Sequence, residues 1–150
     1  LYMYQMDGLE VYIHGYETEF QYKLNKLIDL KGSFSATRGE NLTDNSPLYY
    51  VPPDKILLST EVYLSPFSIN LMHKKVFSQN RVGLYEETTP GYETYNLIGT
   101  YTIRSEQAIH KFILQIDNIF DRKYYNHLSR IKSIMPEKGR NIGFQYRLNF

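Results

Sequence analysis

The chain has 150 residues, 17 basic and 16 acidic side chains and a formal charge of +1, so no strong field recruits nucleic acid or acidic lipid. It contains no Cys and no Trp, which removes disulfides and thiolate metal sites, but 15 Tyr and 8 Phe, an aromatic load that belongs at a core edge or an interface. No apolar run approaches the roughly 20 residues of a membrane-spanning helix, which leaves membrane-spanning strands open.

In chain order, the opening LYMYQMDG reads as mid-strand material with no initiator Met and no leader pattern, so the chain is expected to be a piece of a longer one. The first strand carries a phase reversal: Leu9, Val11 and Ile13 are odd-numbered, whereas Tyr16, Phe20, Tyr22 and Leu24 are even. A one-residue slip would turn every later side chain to the wrong face, so the reversal at His14-Gly15 predicts a β-bulge at Gly15. Over 28–38, Ile28, Leu30, Phe34 and Ala36 alternate with Asp29, Lys31, Ser33, Ser35 and Thr37. Over 55–64, Ile56, Leu58, Val62 and Leu64 alternate with Lys55, Ser59 and Glu61, and Leu57 and Tyr63 break the pattern. A strand over 67–79 is set by Phe67, Ile69 and Leu71, and one over 92–104 by Tyr95, Leu97, Tyr101 and Ile103. Phe112, Leu114, Ile116 and Phe120 define another over 110–120. The chain ends on NIGFQYRLNF, with Ile142, Phe144, Tyr146, Leu148 and Phe150 on one face.

This gives about seven strands and almost no helical period. The connections alternate in length: 25–27, 65–66 and 105–108 are short, whereas 39–54, 80–91 and 121–140 are long and rich in turn formers and charge. In an up-and-down sheet every second connection lies at the same end, so short turns collect at one end and long loops at the other. Membrane barrels have that asymmetry, and Tyr22, Phe67, Tyr92, Tyr124, Tyr125 and Phe150 suit interfacial girdles. A soluble sandwich or a lipocalin-like binding barrel alternates in the same way, because one face packs on a core and the other meets water.

Little in the chain points to chemistry. His14, His73, His110 and His127 have neither helical i, i+4 spacing nor a clustered motif, which favours wall or loop histidines over metal ligands. Glu17 and Glu19 share a face, where lumen water and basic neighbours are the expected company rather than an acid–base pair. No Gly-rich phosphate cradle is present, and no cofactor or enzymatic activity is expected. The stretch RKYYNHLSRIK at 122–132 is basic and aromatic, but its place between the last two strands makes it an outer loop rather than a nucleic-acid patch.

At 115–150, QIDNIFDRKYYNHLSRIKSIMPEKGRNIGFQYRLNF resembles the C-terminal end of TonB-dependent outer-membrane receptors. Asn118-Ile119-Phe120-Asp121 matches that family's strand end, Tyr124 or Tyr125 its tyrosine, and Gly139-Arg140-Asn141 its loop, although Glu137-Lys138 separates Pro136 from Gly139. GYETEFQYKL, ATRGENLTDNSPLYYVPPDKI and PGYETYNLIGTY also resemble successive barrel segments, so the likeness covers nearly the whole chain. It implies an all-β, antiparallel up-and-down transmembrane barrel portion, with residues 1–150 as the C-terminal part of a barrel of about 22 strands whose plug domain and earlier strands lie elsewhere. It further implies a place in the outer membrane of a Gram-negative bacterium and active uptake of a scarce ligand, such as a ferric siderophore. The expected partners are outer-membrane lipid, the TonB complex and plug through the parent chain, and the assembly machinery. By the same resemblance, Phe144, Tyr146, Leu148 and Phe150 form the closing strand and assembly signal. His127, Arg130 and Lys132 are the candidate loop contacts to an anionic ferric chelate, the plainer alternative being a solvated loop. The rivals are a soluble β-sandwich or lipocalin-like module and a passive outer-membrane porin.

Overall fold

The computed structural model describes Gly8 and residues 10–150. These form one antiparallel sheet with strands β1 (Val11–Lys23), β2 (Ile28–Asn41), β3 (Ser46–Pro47), β4 (Lys55–Leu64), β5 (Phe67–Val76), β6 (Tyr92–Arg104), β7 (Ile109–Asp117) and β8 (Asn141–Asn149). The spatial order is β1-β2-β4-β5-β6-β7-β8, with the two-residue β3 folded back on β2. Each long strand pairs with the long strand next in sequence, and β1 and β8 form the two edges. The architecture is an incomplete up-and-down barrel wall.

Register explains which residues share a face. Tyr16 lies opposite Ala36, Phe34 opposite Ile56, Val62 opposite Ile69, Leu71 opposite Leu97, Gly99 opposite Leu114, and Leu114 opposite Phe144. Directly opposed residues project to the same side of a sheet. The apolar sets of all seven long strands therefore merge into one continuous outer band. The inner face carries Glu17, Glu19, Lys31, Glu61, Asn70, Asn96, Lys111, Gln115, Gln145 and Arg147. The two exceptions in β4 lie inward, Leu57 facing Lys74 and Tyr63 facing Ser68. Buried apolar residues are Ala36, Val51, Val76 and Tyr92, all at the loop end, whereas Phe20, Leu114 and Phe144 in the band are 53%, 45% and 70% exposed. Among the described residues no second layer covers that band.

Short connections close one end. Asn25 accepts from the backbone N–H groups of Leu27 and Ile28 at 2.7 and 3.0 Å, an Asx turn that reverses the chain without a glycine. Ser65-Pro66 joins β4 to β5 directly, and the Ser105 hydroxyl ties to Ala108 in both directions. The three long loops, 42–54, 77–91 and 118–140, stand together at the other end.

The first strand corrects one expectation. No bulge interrupts β1: its pairing with β2 runs without a break from Val11↔Asn41 to Lys23↔Asp29, through Gly15↔Thr37. The phase reversal has another cause. Beyond the apolar band the outer face turns polar, with His14 opposite Arg38 and Tyr12 opposite Glu40, while at that height the inner face of Gly39 lies against Leu48 and Val51 of the loop. Apolar residues change sides because the surroundings do. Gly15 answers to close approach instead, since a Cβ there would strike the Ala36 carbonyl oxygen. Leu9 lies outside the described residues.

Three boundaries also shift: β2 runs on to Asn41, and β5 ends at Val76 and β7 at Asp117, where the chain leaves the ladder for loop hydrogen bonds. Tyr92 and Tyr124 are not girdle residues. Tyr92 is on the inner face, buried, and stacked on Tyr124 with ring centroids 4.3 Å apart. Gly15→Ala should cost roughly 1–3 kcal/mol because it must displace a neighbouring backbone atom. Gly99→Ala, with nothing within 4 Å of its Cβ position, should be close to neutral in the same urea-unfolding comparison on the full-length protein.

Candidate functional site

The three long loops are cross-tied by polar groups that leave water. Loop 77–91 is shaped by an antiparallel bridge between Gln79 and Thr89 and anchored to loop 42–54 by the buried Gln79 side chain, whose Nε2 donates to the Val51 carbonyl at 3.0 Å. Arg38 grips Asp54 with both guanidinium nitrogens, at 2.5 and 2.8 Å, fixing the end of loop 42–54 to β2. The hydrogen bond and charge of Arg38 hold the Asp54 carboxyl below its ordinary value, against an opposing effect of burial. Arg81 reaches Glu40 at 2.9 Å.

At the centre stands His127, 2% exposed. Its Nδ1 is 3.0 Å from the Thr89 hydroxyl and 3.3 Å from Lys132 Nζ. An ammonium can only donate, so Nδ1 accepts and the ring proton resides on Nε2. Nε2 lies 3.1 Å from Glu86 Oε1 but off the hydrogen-bond direction, so the buried N–H has an electrostatic contact and no formed hydrogen bond. Lys132 Nζ is 3.5 Å from the same carboxylate oxygen. Glu86 also accepts from the backbone N–H groups of Tyr50 at 3.3 Å and Gly83 at 3.2 Å. One carboxylate thus binds elements of all three loops. Burial first, and the Lys132 charge second, push the His127 pKa below its ordinary 6.5, with Glu86 opposing.

Beside this cluster lies a crevice of about 480 Å³ lined by Tyr49, Tyr50, Tyr85, Glu86, Glu87 and Arg130 among others. Tyr50 and Tyr85 have left-handed backbones, with φ of 56° and 67°. For bulky residues that conformation costs on the order of 1 kcal/mol each, and such outliers concentrate where surroundings hold a surface in a set shape. Tyr85 is 95% exposed, so an aromatic ring is held out to solvent at the crevice mouth. The crevice offers tyrosine rings and Arg130 to a ligand, with Glu86 and Glu87 also in its lining, while the Lys132 ammonium is 10% exposed and held by Glu86 and His127.

Of the loop residues singled out in the sequence, His127 and Lys132 come together and Arg130 lines the adjoining crevice. His127 faces inward as a post of the loop cluster and presents no surface to a ligand. Tyr49, Tyr50, Tyr85, Glu86 and Thr89 did not stand out in the sequence, where the only signal was a run of tyrosines and glutamates in turn-rich segments. Phe144, Tyr146 and Leu148 lie on the outer face of β8, and Phe150 is fully exposed past its end.

The last loop is closed by paired motif residues. Asn118 and Asp121 adopt left-handed backbones at φ 50° and 52°. The Asn118 side chain accepts from Arg122 N–H and donates to the Arg122 carbonyl, both at 2.9 Å. The Asp121 carboxylate accepts from Arg140 N–H at 2.7 Å, and a Cβ on Gly139 would sit 2.6 Å from that same carboxylate. Asn118, Asp121, Gly139 and Arg140 therefore form one physical unit that returns a long loop to the start of β8.

No family model matches the chain. It is 23% identical over 161 aligned positions to the metal-pseudopaline receptor CntO of Pseudomonas aeruginosa, covering 98% of this chain and 22% of that protein. Among solved structures it superposes on the copper transporter OprC with a TM-score of 0.83 and 21% identity, over 92% of this chain and 23% of that one. The chain shares its fold with that transporter. It spans less than a quarter of the length of either protein.

The buried histidine generates a pH prediction. With its folded pKa lowered, His127 favours closed loops above about pH 6.5, and that contribution is lost as pH falls toward the folded value, because opened loops bind the extra proton. Amide exchange over 83–89 and 126–132, corrected for intrinsic rates, should accelerate between about pH 7.5 and 5.5. His127→Gln should flatten that dependence; an unchanged pH profile would remove His127 from the role.

Proposed function

We propose that the chain is the C-terminal part of the barrel wall of an outer-membrane receptor that takes up a scarce metal, as the ion or as a chelate, with energy delivered through TonB to a plug carried elsewhere in the full-length protein. The observation that carries this reading is the uninterrupted outer apolar band across seven paired strands, with every short turn at one end and every long loop at the other. That is the pattern of strands crossing lipid, where each backbone polar group must be paired within the sheet. The names of the two relatives, one a metal-pseudopaline receptor and one a copper transporter, support metal cargo. A ferric chelate is one member of that class. The crevice lined by Tyr49, Tyr50, Tyr85 and Arg130, with Glu86 and Glu87 beside them, offers aromatic and mixed-charge contacts to a metal chelate arriving from outside.

Faces and closure are tested in the full-length protein by its heat-modifiable folded band. Leu114→Arg places a charge in the band and should cost about 2–4 kcal/mol of barrel stability, whereas Gln115→Arg points inward and should fold normally. In the same assay, deletion of Phe150 should reduce assembled protein more than Gln145→Ala. Equal yields in either pair would reject the corresponding assignment.

Cargo and energy are tested by uptake of labelled copper ion, ferric chelate and nickel or zinc chelate into cells with and without the gene. At least one should require the protein and collapse when the proton-motive force is dissipated. Uptake that persists without the force would make the protein a passive pore.

A further inference from the structure

A second crevice, of about 550 Å³, lies on the opposite side of the wall from the lumen. Of its strand residues, Lys75, Glu93 and Tyr95 lie on the outer face, just above the apolar band. In β5 the outward series runs Phe67, Ile69, Leu71, then His73 and Lys75, and in β6 Tyr101, Gly99, Leu97, Tyr95, then Glu93. The change from aliphatic to charged residues marks the level where an acyl layer would give way to headgroups. Lys75 and Arg122 supply two cations, and Phe77, Tyr95 and Phe120 form an aromatic wall. Tyr95 and Phe120 meet edge to face at 5.3 Å, and Lys75 Nζ stands 5.6 Å above the Phe77 ring.

The charges do not cancel within the crevice. Glu93 is the one acid lining it, and it is shared, with Lys75 Nζ at 2.9 Å and His73 Nε2 at 3.3 Å. Among the described residues no acid lies within ion-pair distance of the Arg122 guanidinium. Its backbone is nevertheless fixed, because Asn118 holds both the N–H and the carbonyl of Arg122. An anchored, uncompensated guanidinium beside an ammonium, above an apolar band and flanked by aromatic rings, matches one kind of partner: a headgroup bearing phosphate whose acyl chains run down the band.

Resting on the membrane reading above, we propose that this outward rim crevice binds the phosphate of an anionic lipid, with Arg122 and Lys75 as its cationic contacts. The phosphate accepts from the guanidinium and competes with Glu93 for Lys75. The first carbons of the lipid lie against Phe77, Tyr95 and Phe120.

The test uses the full-length protein in detergent, with phosphatidic acid as probe and diacylglycerol of the same chains as the control lacking phosphate, read by native mass spectrometry. The wild type should retain phosphatidic acid in preference to diacylglycerol. Replacing both cations, Lys75→Gln with Arg122→Gln, should lower that preference about tenfold or more, in keeping with the usual contribution of a basic residue at a lipid surface. The lumen pair Lys31→Gln with Lys111→Gln removes equal charge and should change nothing. Equal preference in the rim and wild-type proteins, or displacement of the lipid by equimolar inorganic phosphate, would overturn the proposal while the barrel stands. Loss of the heat-modifiable folded band from the wild type itself would overturn the membrane reading, and this site with it.

Discussion

Cross-strand pairing imposes one parity on the whole sheet. Each antiparallel ladder seats a residue directly opposite a partner, so the outward set of one strand dictates the outward set of the next. From Tyr16 in β1 to Phe144 in β8, six ladders of long strands transmit that choice without a slip. A single inserted residue anywhere in the band would reverse the facing of the remainder of that strand and place Lys or Glu among aliphatic neighbours. Regularity in the strands is therefore compulsory, and irregularity is confined to the loop end.

That division decided what could be read from residues alone. Strand number, faces and the short–long alternation of connections were legible because side-chain period in a half-buried strand is a local property. Leu57 and Tyr63 were already visible as inward exceptions. The reversal at His14-Gly15 was legible as an anomaly, but its cause was not: period cannot distinguish an extra residue from a change of surroundings along an unbroken strand. Tyr92 failed for a related reason, since composition places aromatics near strand ends without saying on which side. The union of Glu86, Thr89, His127 and Lys132 depends on two loops meeting in space, and no spacing within one segment encodes it.

The closing loop shows how separated motif fragments are held by one set of forces. Asp121 is useful only if the Arg140 N–H comes to it, and that approach is open only because residue 139 has no Cβ. Asn118, from the preceding strand end, locks the turn that aims Asp121. The intervening residues carry no such demand, which allows Glu137-Lys138 to stand between Pro136 and Gly139 without disturbing the closure.

Cross-tying of the long loops also changes what the surface presents to other molecules. Tyr49 and Tyr50, Tyr85, and Arg130 with Lys132 come from three stretches separated by more than thirty positions at each step, yet they line one crevice. Any macromolecule docking there would meet a discontinuous surface that exists only in the folded wall. Peptides copied from any one loop would be poor mimics of it, and sequence drift in one loop would alter a surface whose other two contributors had not changed.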